Sequence, residues 1–270
     1  MKNYHLHQSG DCRYVTFPAL EKHQSLKHLF TTRIGGVSEG CCSSWNFGAK
    51  SLDTEENIAR NYEILANVLG VKPSQMVTSA QTHTTNIRVV TAEDGGFGIL
   101  PNPSFQDVDG LVTNEKNLAI ITGHADCNPV YFYDPEKQVI GLAHSGWKGT
   151  LGGISEKMVA LMGEKYGCHP ADILAGMGPA LCQDCFEVDQ DVADLFFARK
   201  EVYRTFAYEK GIKTYIDLKQ IIRYDLMAVG LLDEHIFDME LCTKENPDLF
   251  FSHRGQQGKR GIMAAVMMLV

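Results

Sequence analysis

The stretch "PVYFYDPEKQVIGLAHSGWKGT", residues 129–150, decides the fold prediction. It contains two largely apolar runs, 129–133 and 138–143, in which polar and apolar residues do not alternate. Such runs are typical of β-strands that are covered on both faces. The second run ends at His144, which is followed by a Trp-Lys pair between glycines. We therefore expect a buried sheet with a histidine at the end of one strand.

The rest of the chain predicts further strands and a few well-marked helices. Asp53 and Glu56 have the capping-box pattern ahead of a helix that ends at Gly70. Similar periodicity predicts helices over 154–166, 189–200 and 217–231, and apolar runs predict strands over 87–91, 118–123, 172–178 and 262–269. Strands and helices do not alternate strictly, so we predict an α+β fold in a single domain, residues 1–270.

Composition narrows the class of protein. The chain has 270 residues and a formal net charge of -8, with 44% hydrophobic and 21% charged residues. A general nucleic-acid binder needs a basic surface, so no nucleic-acid partner is expected. The N-terminus lacks the apolar stretch of a secretory signal, and the longest apolar run, 261–270, is too short to span a bilayer. We therefore predict a cytoplasmic protein without a membrane partner.

Eight cysteines occur in the chain. A cytoplasmic protein keeps its thiols reduced, so each cysteine is a candidate metal ligand or nucleophile rather than half of a disulfide. Cys182 and Cys185 form a CxxC motif, but the sequence contains no second one. We favour a structural role for this pair.

Potential metal ligands stand at the ends of three apolar runs. His83 precedes one strand, Asp126 and Cys127 lie with His124 between two strands, and His144 follows another. Two imidazoles and one thiolate form a three-ligand set for Zn²⁺ that leaves a fourth position open. The spacing is not that of a zinc finger, so the ligands would have to converge from separate segments. The alternative is that these residues bind no metal. The histidines would then be strand-end residues with local hydrogen bonds, and the cysteine would be a buried small hydrophobe.

Three segments offer cations for an anionic ligand. Arg33 precedes a Gly-Gly turn, Lys148 lies in the glycine-bracketed pair, and "FSHRGQQGKRG" contributes His253 and Arg254. Arginine binds phosphate or carboxylate through two parallel hydrogen bonds. Each of these residues is also compatible with a solvated surface cation. The sequence lacks a Walker A loop and a GxGxxG motif after a strand.

Seven motifs occur in an order that resembles one bacterial family. They are "TTRIGGVSEG…SWNFG", "QTH", "DVDGLVT", "HADCNPVYFYD", "VIGLAHSGWKGT", "GPALCQDCFEV" and "FFSHR". The family is the laccase-domain or polyphenol-oxidase family, also called peptidoglycan-editing factor and purine nucleoside phosphorylase. The resemblance runs from about Phe30 to the C-terminus. It implies mixed β-sheets packed between helical layers, an α/β/β/α arrangement.

The resemblance also implies a metal site and an activity. The metal is zinc, with copper as the alternative, and its ligands are His83, Cys127 and His144. The activity is phosphorolysis of adenosine, inosine, guanosine or 5′-methylthioadenosine, giving the base and ribose 1-phosphate, with adenosine deamination at the same site. Two departures stand out: Lys148 replaces an arginine that is frequent in the family, and the cysteines of "GPALCQDCFEV" differ from its usual pattern.

These implications assign roles to the remaining site residues. Asp109 and Asp126 are expected to assist proton transfer beside the three metal ligands. The residues expected to contact substrate or phosphate are Arg33, Asn46, Gln81, Lys148 and Arg254. The expected partners are purine nucleosides and phosphate, and the expected assembly is a monomer or homodimer.

Three other functions stay open at this point. A metal-free cysteine hydrolase would use Cys127 as nucleophile and His144 as base, acting on an amide in cell-wall precursors. A copper-dependent polyphenol oxidase is disfavoured because one site with two histidines and one cysteine has too few ligands for a multicopper cluster. The third alternative is a binding protein without catalysis, for which His83→Ala would leave function intact.

Overall fold

Two large β-sheets lie face to face in the computed structural model, which describes residues 2–48, 51–99 and 101–270. The first has the strands β1 (His5–Ser9), β2 (Cys12–Thr16), β3 (Leu26–Thr31), β4 (Met76–Ala80), β6 (Phe105–Gln106), β8 (Ala119–His124) and β16 (Met263–Leu269), in the order β1-β2-β3-β16-β8-β4-β6. The second has β5 (Ile87–Val89), β7 (Gly110–Thr113), β9 (Asn128–Asp134), β10 (Val139–Ser145), β11 (Leu174–Met177) and β15 (Ile236–Asp238), in the order β15-β11-β9-β10-β7-β5.

A small third sheet and five α-helices complete the described residues. The small sheet has β12 (Glu187–Val188), β13 (Ala207–Lys210) and β14 (Lys213–Ile216), in the order β12-β14-β13. The helices are α1 (Glu55–Leu69), α2 (Trp147–Gly152), α3 (Ile154–Tyr166), α4 (Gln190–Arg199) and α5 (Leu218–Ala228). None of these helices in the described part of the chain is long and apolar enough to cross a membrane.

Strand β16 shows why the sheets form layers. Met263, Ala265 and Met267 point into the core between the two large sheets, whereas Val266 and Met268 pack on the outer face near α1. A strand has a side-chain period of two, so an unbroken apolar run buries both of its faces. On the other side, α3 and α5 cover the outer face of the second sheet. The predicted α/β/β/α arrangement and the mixed sheets are confirmed, since both parallel and antiparallel pairs occur.

The sequence predictions for helices are confirmed with one correction. The chain before α1 uses Thr54 as its N-cap, and the Thr54 side chain accepts a hydrogen bond from the Asn57 N–H at 3.1 Å. The predicted cap, Asp53, lies one residue too early and instead accepts from the side chains of Asn46 and Asn57. Gly70 ends α1 in the left-handed conformation, as expected.

One connection between the two large sheets and the end of strand β10 lie at the same edge of the structure. Residues 125–127 carry the chain from β8 in the first sheet to β9 in the second. Strand β10 pairs with β9 and β7, and it extends through His144 to Ser145. The histidine therefore belongs to the strand rather than following it. Helix α2 begins directly afterwards, at Trp147.

Candidate metal centre

Three side chains from separate segments meet at this edge. His83 lies in the loop after β4, Cys127 in the passage between the sheets, and His144 near the end of β10. One ligand atom from each lies within 4.8 Å of the others. We call these three residues the mixed cluster. Its members are 44 and 17 residues apart along the chain, so only the tertiary fold brings them together.

Asp109 holds two members of the mixed cluster in place. Its carboxylate is fully buried and accepts a hydrogen bond from His144 Nδ1 at 2.8 Å. It also accepts from the backbone N–H groups of Thr82, His83 and Thr84 and from the Thr84 hydroxyl. One carboxylate therefore fixes both the His83 loop and the orientation of the His144 ring.

Two residues at the centre have a left-handed backbone. His83 has φ 65° and Asp126 has φ 92°. This conformation is uncommon for residues other than glycine and tends to persist where surrounding contacts enforce it. The His83 N–H donates to Asp109, and the Asp126 carboxylate accepts from the Thr243 hydroxyl and the Arg254 N–H, both at 2.6 Å. These contacts oppose relaxation of both residues.

The buried charges in the mixed cluster stabilise one another. Burial alone would raise the pKa of Cys127, but the imidazoles of His144 and His83 lower that pKa to about 6. Burial alone would lower the pKa of His144, but the Cys127 thiolate and Asp109 raise it to about 9. Hydrogen bonds from His144 and Thr84 outweigh burial and lower the pKa of Asp109 to about 2. At neutral pH the cysteine is therefore a thiolate.

Gly146 leaves space for the mixed cluster. A Cβ atom at this position would lie 2.8 Å from the Cys127 sulfur and 3.1 Å from His83 Cδ2. Its φ of -70° is ordinary, so the requirement for glycine here is one of space rather than backbone conformation. This contact explains one of the glycines that bracket the Trp-Lys pair.

The donor set fits a bound metal ion. Two imidazoles and one thiolate are ligands that zinc accepts, and three protein ligands leave a position free. Since His144 Nδ1 bonds to Asp109, its Nε2 remains available as a ligand atom. The buried His124 is not part of this set, because its nitrogens contact the Thr122 hydroxyl and the Cys127 carbonyl oxygen. Burial and the nearby His144 lower the pKa of His124, which keeps it neutral.

A cavity of about 330 Å³ opens onto the mixed cluster. This volume lies at the lower end of the range for small-molecule sites. The described lining combines an apolar wall with polar and cationic groups. It comprises His83, Ala125, Asp126, Cys127, Asn128, Gly146, Trp147, Leu181, Phe186, Leu218, His253, Arg254 and Arg260. A larger depression of about 1120 Å³ lies beside the N-terminal hairpin, and its described lining shares no residue with this cavity.

Arg260 is a notable cation in the cavity. Its Nε is buried and has no hydrogen-bond partner among the described residues. Burial lowers its pKa, although Asp126 and Cys127 oppose that shift. A buried guanidinium N–H without a partner costs free energy unless a ligand accepts from it. The Nη2 of Arg260 does have a partner, His253 Nδ1, at 3.4 Å. The neighbouring Arg254 is paired with the Glu187 carboxylate at 2.8 Å.

Asn128 offers a second unused polar group. It is 1% exposed and lines the cavity directly after Cys127. Its Oδ1 atom is buried without a hydrogen-bond partner within residues 2–48, 51–99 and 101–270. Two residues that line the cavity therefore each have one buried polar atom without a partner in the described part of the chain, Arg260 Nε and Asn128 Oδ1.

Several residues predicted to bind substrate lie outside the described lining of the cavity. Asn46 is fully buried, and its amide bonds to Gly48, Asp53 and Ile262. Gln81 makes two hydrogen bonds to the backbone of Gly123.

The predicted phosphate contacts Arg33 and Lys148 lie elsewhere too. Arg33 donates to the carbonyl oxygens of Ser43 and Pro247 and lines a separate shallow depression. Lys148 is exposed and lies 5.5 Å from the Trp147 ring centroid. Both are absent from the described cavity lining, whereas Arg254 lines it.

Sequence reasoning did not identify Arg260 or Asn128 as site residues. Arg260 lies in the "FSHRGQQGKRG" segment, in which only His253 and Arg254 are predicted to bind an anion. Position in the sequence was the available signal for both residues. Asn128 directly follows the predicted ligand Cys127, and Arg260 follows Arg254 in the segment that leads into β16.

Comparison with known proteins shows the family and agrees with the fold. A sequence profile described as "Multi-copper polyphenol oxidoreductase laccase" matches residues 27–270. Purine nucleoside phosphorylase YlmD of Bacillus subtilis (strain 168) is 39% identical over 236 residues, which are 87% of this chain and 85% of that protein. A purine nucleoside phosphorylase of Bacteroides thetaiotaomicron is 30% identical over 269 residues, covering 96% of this chain and 97% of the relative.

Solved structures share the architecture along the whole chain. The crystal structure of YlmD from Geobacillus stearothermophilus superposes with a TM-score of 0.90 at 31% identity, covering 100% of this chain and 99% of the other. That of a hypothetical protein YfiH from Bacillus licheniformis gives a TM-score of 0.91 at 32% identity, covering 98% and 99%. The chain therefore belongs to the multi-copper polyphenol oxidoreductase laccase family, as an enzyme related to proteins named purine nucleoside phosphorylase.

Proposed function

We propose that the chain is a zinc-dependent purine nucleoside phosphorylase. Its substrates would be adenosine, inosine, guanosine or 5′-methylthioadenosine, together with phosphate, and adenosine deamination would be a side activity. The observation that carries the proposal is one cavity that joins the mixed cluster, an apolar wall and the Arg260 guanidinium, whose Nε has no partner among the described residues. The names of the relatives supply the reaction class.

The cationic end of the cavity is suited to phosphate. Arg260 presents a buried Nε donor that has no partner in the described residues, and Arg254 and His253 line the same end. A guanidinium binds phosphate oxygens through directed, charge-assisted hydrogen bonds. Phosphate held here would be oriented for attack on the anomeric carbon of the ribose.

The apolar part of the lining is suited to a purine. Trp147, Leu181, Phe186 and Leu218 contribute apolar surface to the cavity. Aromatic rings favour stacking on a flat base. The unsatisfied Asn128 amide would then hydrogen bond to the polar edge of the base. A purine placed between this wall and the cationic end presents its glycosidic bond to the phosphate.

Two aspartates would have different roles. Asp126 lines the cavity, so it is the carboxylate that we assign to proton transfer with the substrate. Asp109 is fully buried and already accepts five hydrogen bonds, so we assign it to positioning His83 and His144. This division refines the sequence prediction, which gave both residues the same role.

The mixed cluster would hold the zinc ion through His83, Cys127 and His144. Bound zinc would supply Lewis acidity and positive charge at this end of the cavity. The chain's own contribution is to keep Cys127 ionised and His144 correctly oriented. For the deaminase side activity, the amine-bearing carbon of the purine would have to face the mixed cluster.

The test is a product assay on the purified protein. Adenosine is supplied with and without phosphate, before and after removal of metal by a chelator and readdition of Zn²⁺. We expect adenine and ribose 1-phosphate to form only when phosphate and zinc are both present, with some inosine from deamination. An absence of nucleoside turnover by the zinc-loaded protein would refute the proposal.

One observation supports a second candidate, the metal-free cysteine hydrolase. Cys127, His144 and Asp109 form a thiolate, imidazole and carboxylate series, with 2.8 Å between His144 Nδ1 and Asp109. That order is also the arrangement of a cysteine nucleophile, its base and an orienting acid. Turnover of an amide substrate by the chelator-treated protein, inhibited by iodoacetamide, would favour this function instead.

A further inference from the structure

A second set of potential ligands lies behind the cavity wall. Cys182, Cys185 and Cys242 have sulfur atoms within 4.8 Å of one another. We call these three residues the thiol cluster. Cys185 and Cys242 are buried, and Cys182 is partly exposed. The CxxC pair that looked incomplete in the sequence thus gains a third thiol from a segment 57 residues later.

The local backbone resembles a metal-binding turn. Cys182 precedes a single 3₁₀ turn (Gln183–Cys185), and the N–H of Cys185 donates to the Cys182 carbonyl oxygen at 3.1 Å. The N–H of Cys182 donates to the Cys242 sulfur at 3.4 Å. An N–H directed at sulfur helps to fix the position of the Cys242 side chain beside the CxxC pair.

A carboxylate stands beside one of the three sulfurs. Glu245 Oε1 lies 3.9 Å from the Cys185 sulfur, and Glu245 is at the exposed side of the thiol cluster. Tetrahedral zinc with bonds of about 2.3 Å to sulfur and about 2.1 Å to oxygen needs sulfur and oxygen about 3.6 Å apart. The separation from Cys185 is close to that value, and the exposed Glu245 side chain would have to move closer to the other two sulfurs to complete the set.

We propose that the thiol cluster is a second zinc site, with Cys182, Cys185 and Cys242 as ligands and Glu245 as the fourth. Three thiolates and one carboxylate form a closed tetrahedral set, which is typical of structural zinc. This site is separate from the mixed cluster, and the inference does not depend on the proposed function.

The position of the thiol cluster gives it a structural role in the cavity. Leu181 and Phe186, which flank the CxxC, both line the cavity. The N–H of Leu181 donates to the Asp126 carbonyl oxygen, and Thr243, next to Cys242, donates to the Asp126 carboxylate. Zinc at the thiol cluster would therefore tie together the two segments that hold Asp126 and the apolar wall.

The test measures Zn²⁺ binding in the Cys127→Ala background, in which the mixed cluster lacks its thiolate. The protein is kept reduced, loaded with Zn²⁺ and desalted, and its metal content is measured. We expect one zinc per chain in Cys127→Ala and none after adding Cys185→Ser or Cys182→Ser. Adding Cys41→Ser is the matched control, because Cys41 is outside both clusters, and this variant should retain one zinc.

Cobalt provides a readout that needs no further substitution. Co²⁺ bound to Cys127→Ala should give the intense sulfur-to-cobalt charge-transfer absorption of three thiolates and the visible bands of tetrahedral cobalt. Circular dichroism confirms that the double variants are folded.

Two results would overturn the proposal. The first is a cobalt spectrum without thiolate charge transfer in folded Cys127→Ala. The second combines two observations. Thiol titration of protein purified without reductant finds a disulfide within the thiol cluster, and the same protein retains no zinc after reduction.

Discussion

The mixed cluster and the thiol cluster place cysteines in opposite electrostatic surroundings. Cys127 lies between two imidazoles, which lower its pKa to about 6 despite burial. Burial and the neighbouring Cys242 thiol raise the pKa of Cys182 to about 11. Burial alone therefore does not determine the pKa of a thiol. The charge and hydrogen-bonding capacity of its neighbours also contribute, and here they decide the direction of the shift.

That difference distinguishes the proposed catalytic site from the proposed structural site. The mixed cluster contains a thiolate at neutral pH, offers three potential ligands and opens onto a cavity. The thiol cluster has a fourth protein group nearby and lies behind the wall of the same cavity. An open three-ligand set is typical of catalytic zinc, and a closed four-ligand set is typical of structural zinc.

Removing the thiolate of the mixed cluster should have the largest effect. Loss of a residue that merely supports a ligand typically costs about 10–100-fold in metal affinity or activity. We therefore expect Cys127→Ala to lower kcat/KM for phosphorolysis by more than about 100-fold. The Cys41→Ser variant should stay close to the parent. Equal rates in Cys127→Ala and the parent would remove the mixed cluster from the mechanism.

Alkylation compares the two thiols directly in the metal-free protein. At pH 7 iodoacetamide should modify Cys127 about 100-fold faster than Cys182, because a larger thiolate fraction outweighs lower nucleophilicity. The Cys127 rate should fall as the pH drops through about 6, where the thiolate becomes protonated. The Cys182 rate should keep rising towards pH 11. Peptide mass spectrometry measures both rates, and a Cys127 midpoint near pH 9 would contradict the comparison.

Removing the carboxylate that supports the mixed cluster should weaken metal binding by about 10–100-fold. Asp109→Asn keeps the shape but loses the charge that orients His144. Competition with a chelating dye measures the zinc affinity. An unchanged affinity would show that the backbone alone positions the two histidines.

The same variant should also change the pH dependence of stability. The pKa of Asp109 falls from an ordinary 3.8 to about 2 on folding, which corresponds to about 2 kcal/mol. A lowered carboxylate pKa stabilises the protein above pH 4, and this contribution is lost as the pH falls towards 2. Urea unfolding of metal-free protein should therefore find Asp109→Asn less stable than the parent at pH 7 and a smaller difference at pH 3.

Changing the unsatisfied guanidinium should give the smallest effect. Arg260→Lys keeps the charge but loses the planar fork and its buried Nε donor. We expect KM for phosphate to rise about tenfold, equivalent to about 1.4 kcal/mol. The exposed Lys148→Ala is the control and should change this KM by less than about twofold. A larger effect at Lys148 would place the phosphate elsewhere.

The sequence predicted the layers better than the site. Unbroken apolar runs such as 138–143 and 262–269 identify strands buried on both faces, because their side-chain pattern is local. The N-cap Thr54 and the short strands β12–β14 were missed, since several local patterns compete there. The single domain over 1–270 and the monomer or homodimer stay predictions.

The site needed the tertiary structure. Motifs indicated His83, Cys127 and His144, but Asn46 and Gln81 lie in equally familiar motifs and bond only to the protein backbone and side chains around them. Whether a polar group faces a cavity depends on how separate segments pack, which no local spacing encodes. Two features of the structure depend on such packing between separate segments. They are the Arg260 Nε without a partner among the described residues and the grouping of Cys242 with the CxxC pair.

The most direct test of the central claim is phosphate-dependent release of adenine from adenosine, measured on zinc-loaded parent, Cys127→Ala and Cys41→Ser proteins prepared in parallel. We expect adenine and ribose 1-phosphate from the parent and from Cys41→Ser, and almost none from Cys127→Ala. Adenine release at the parent rate by folded Cys127→Ala, or no release by any of the three, would contradict it.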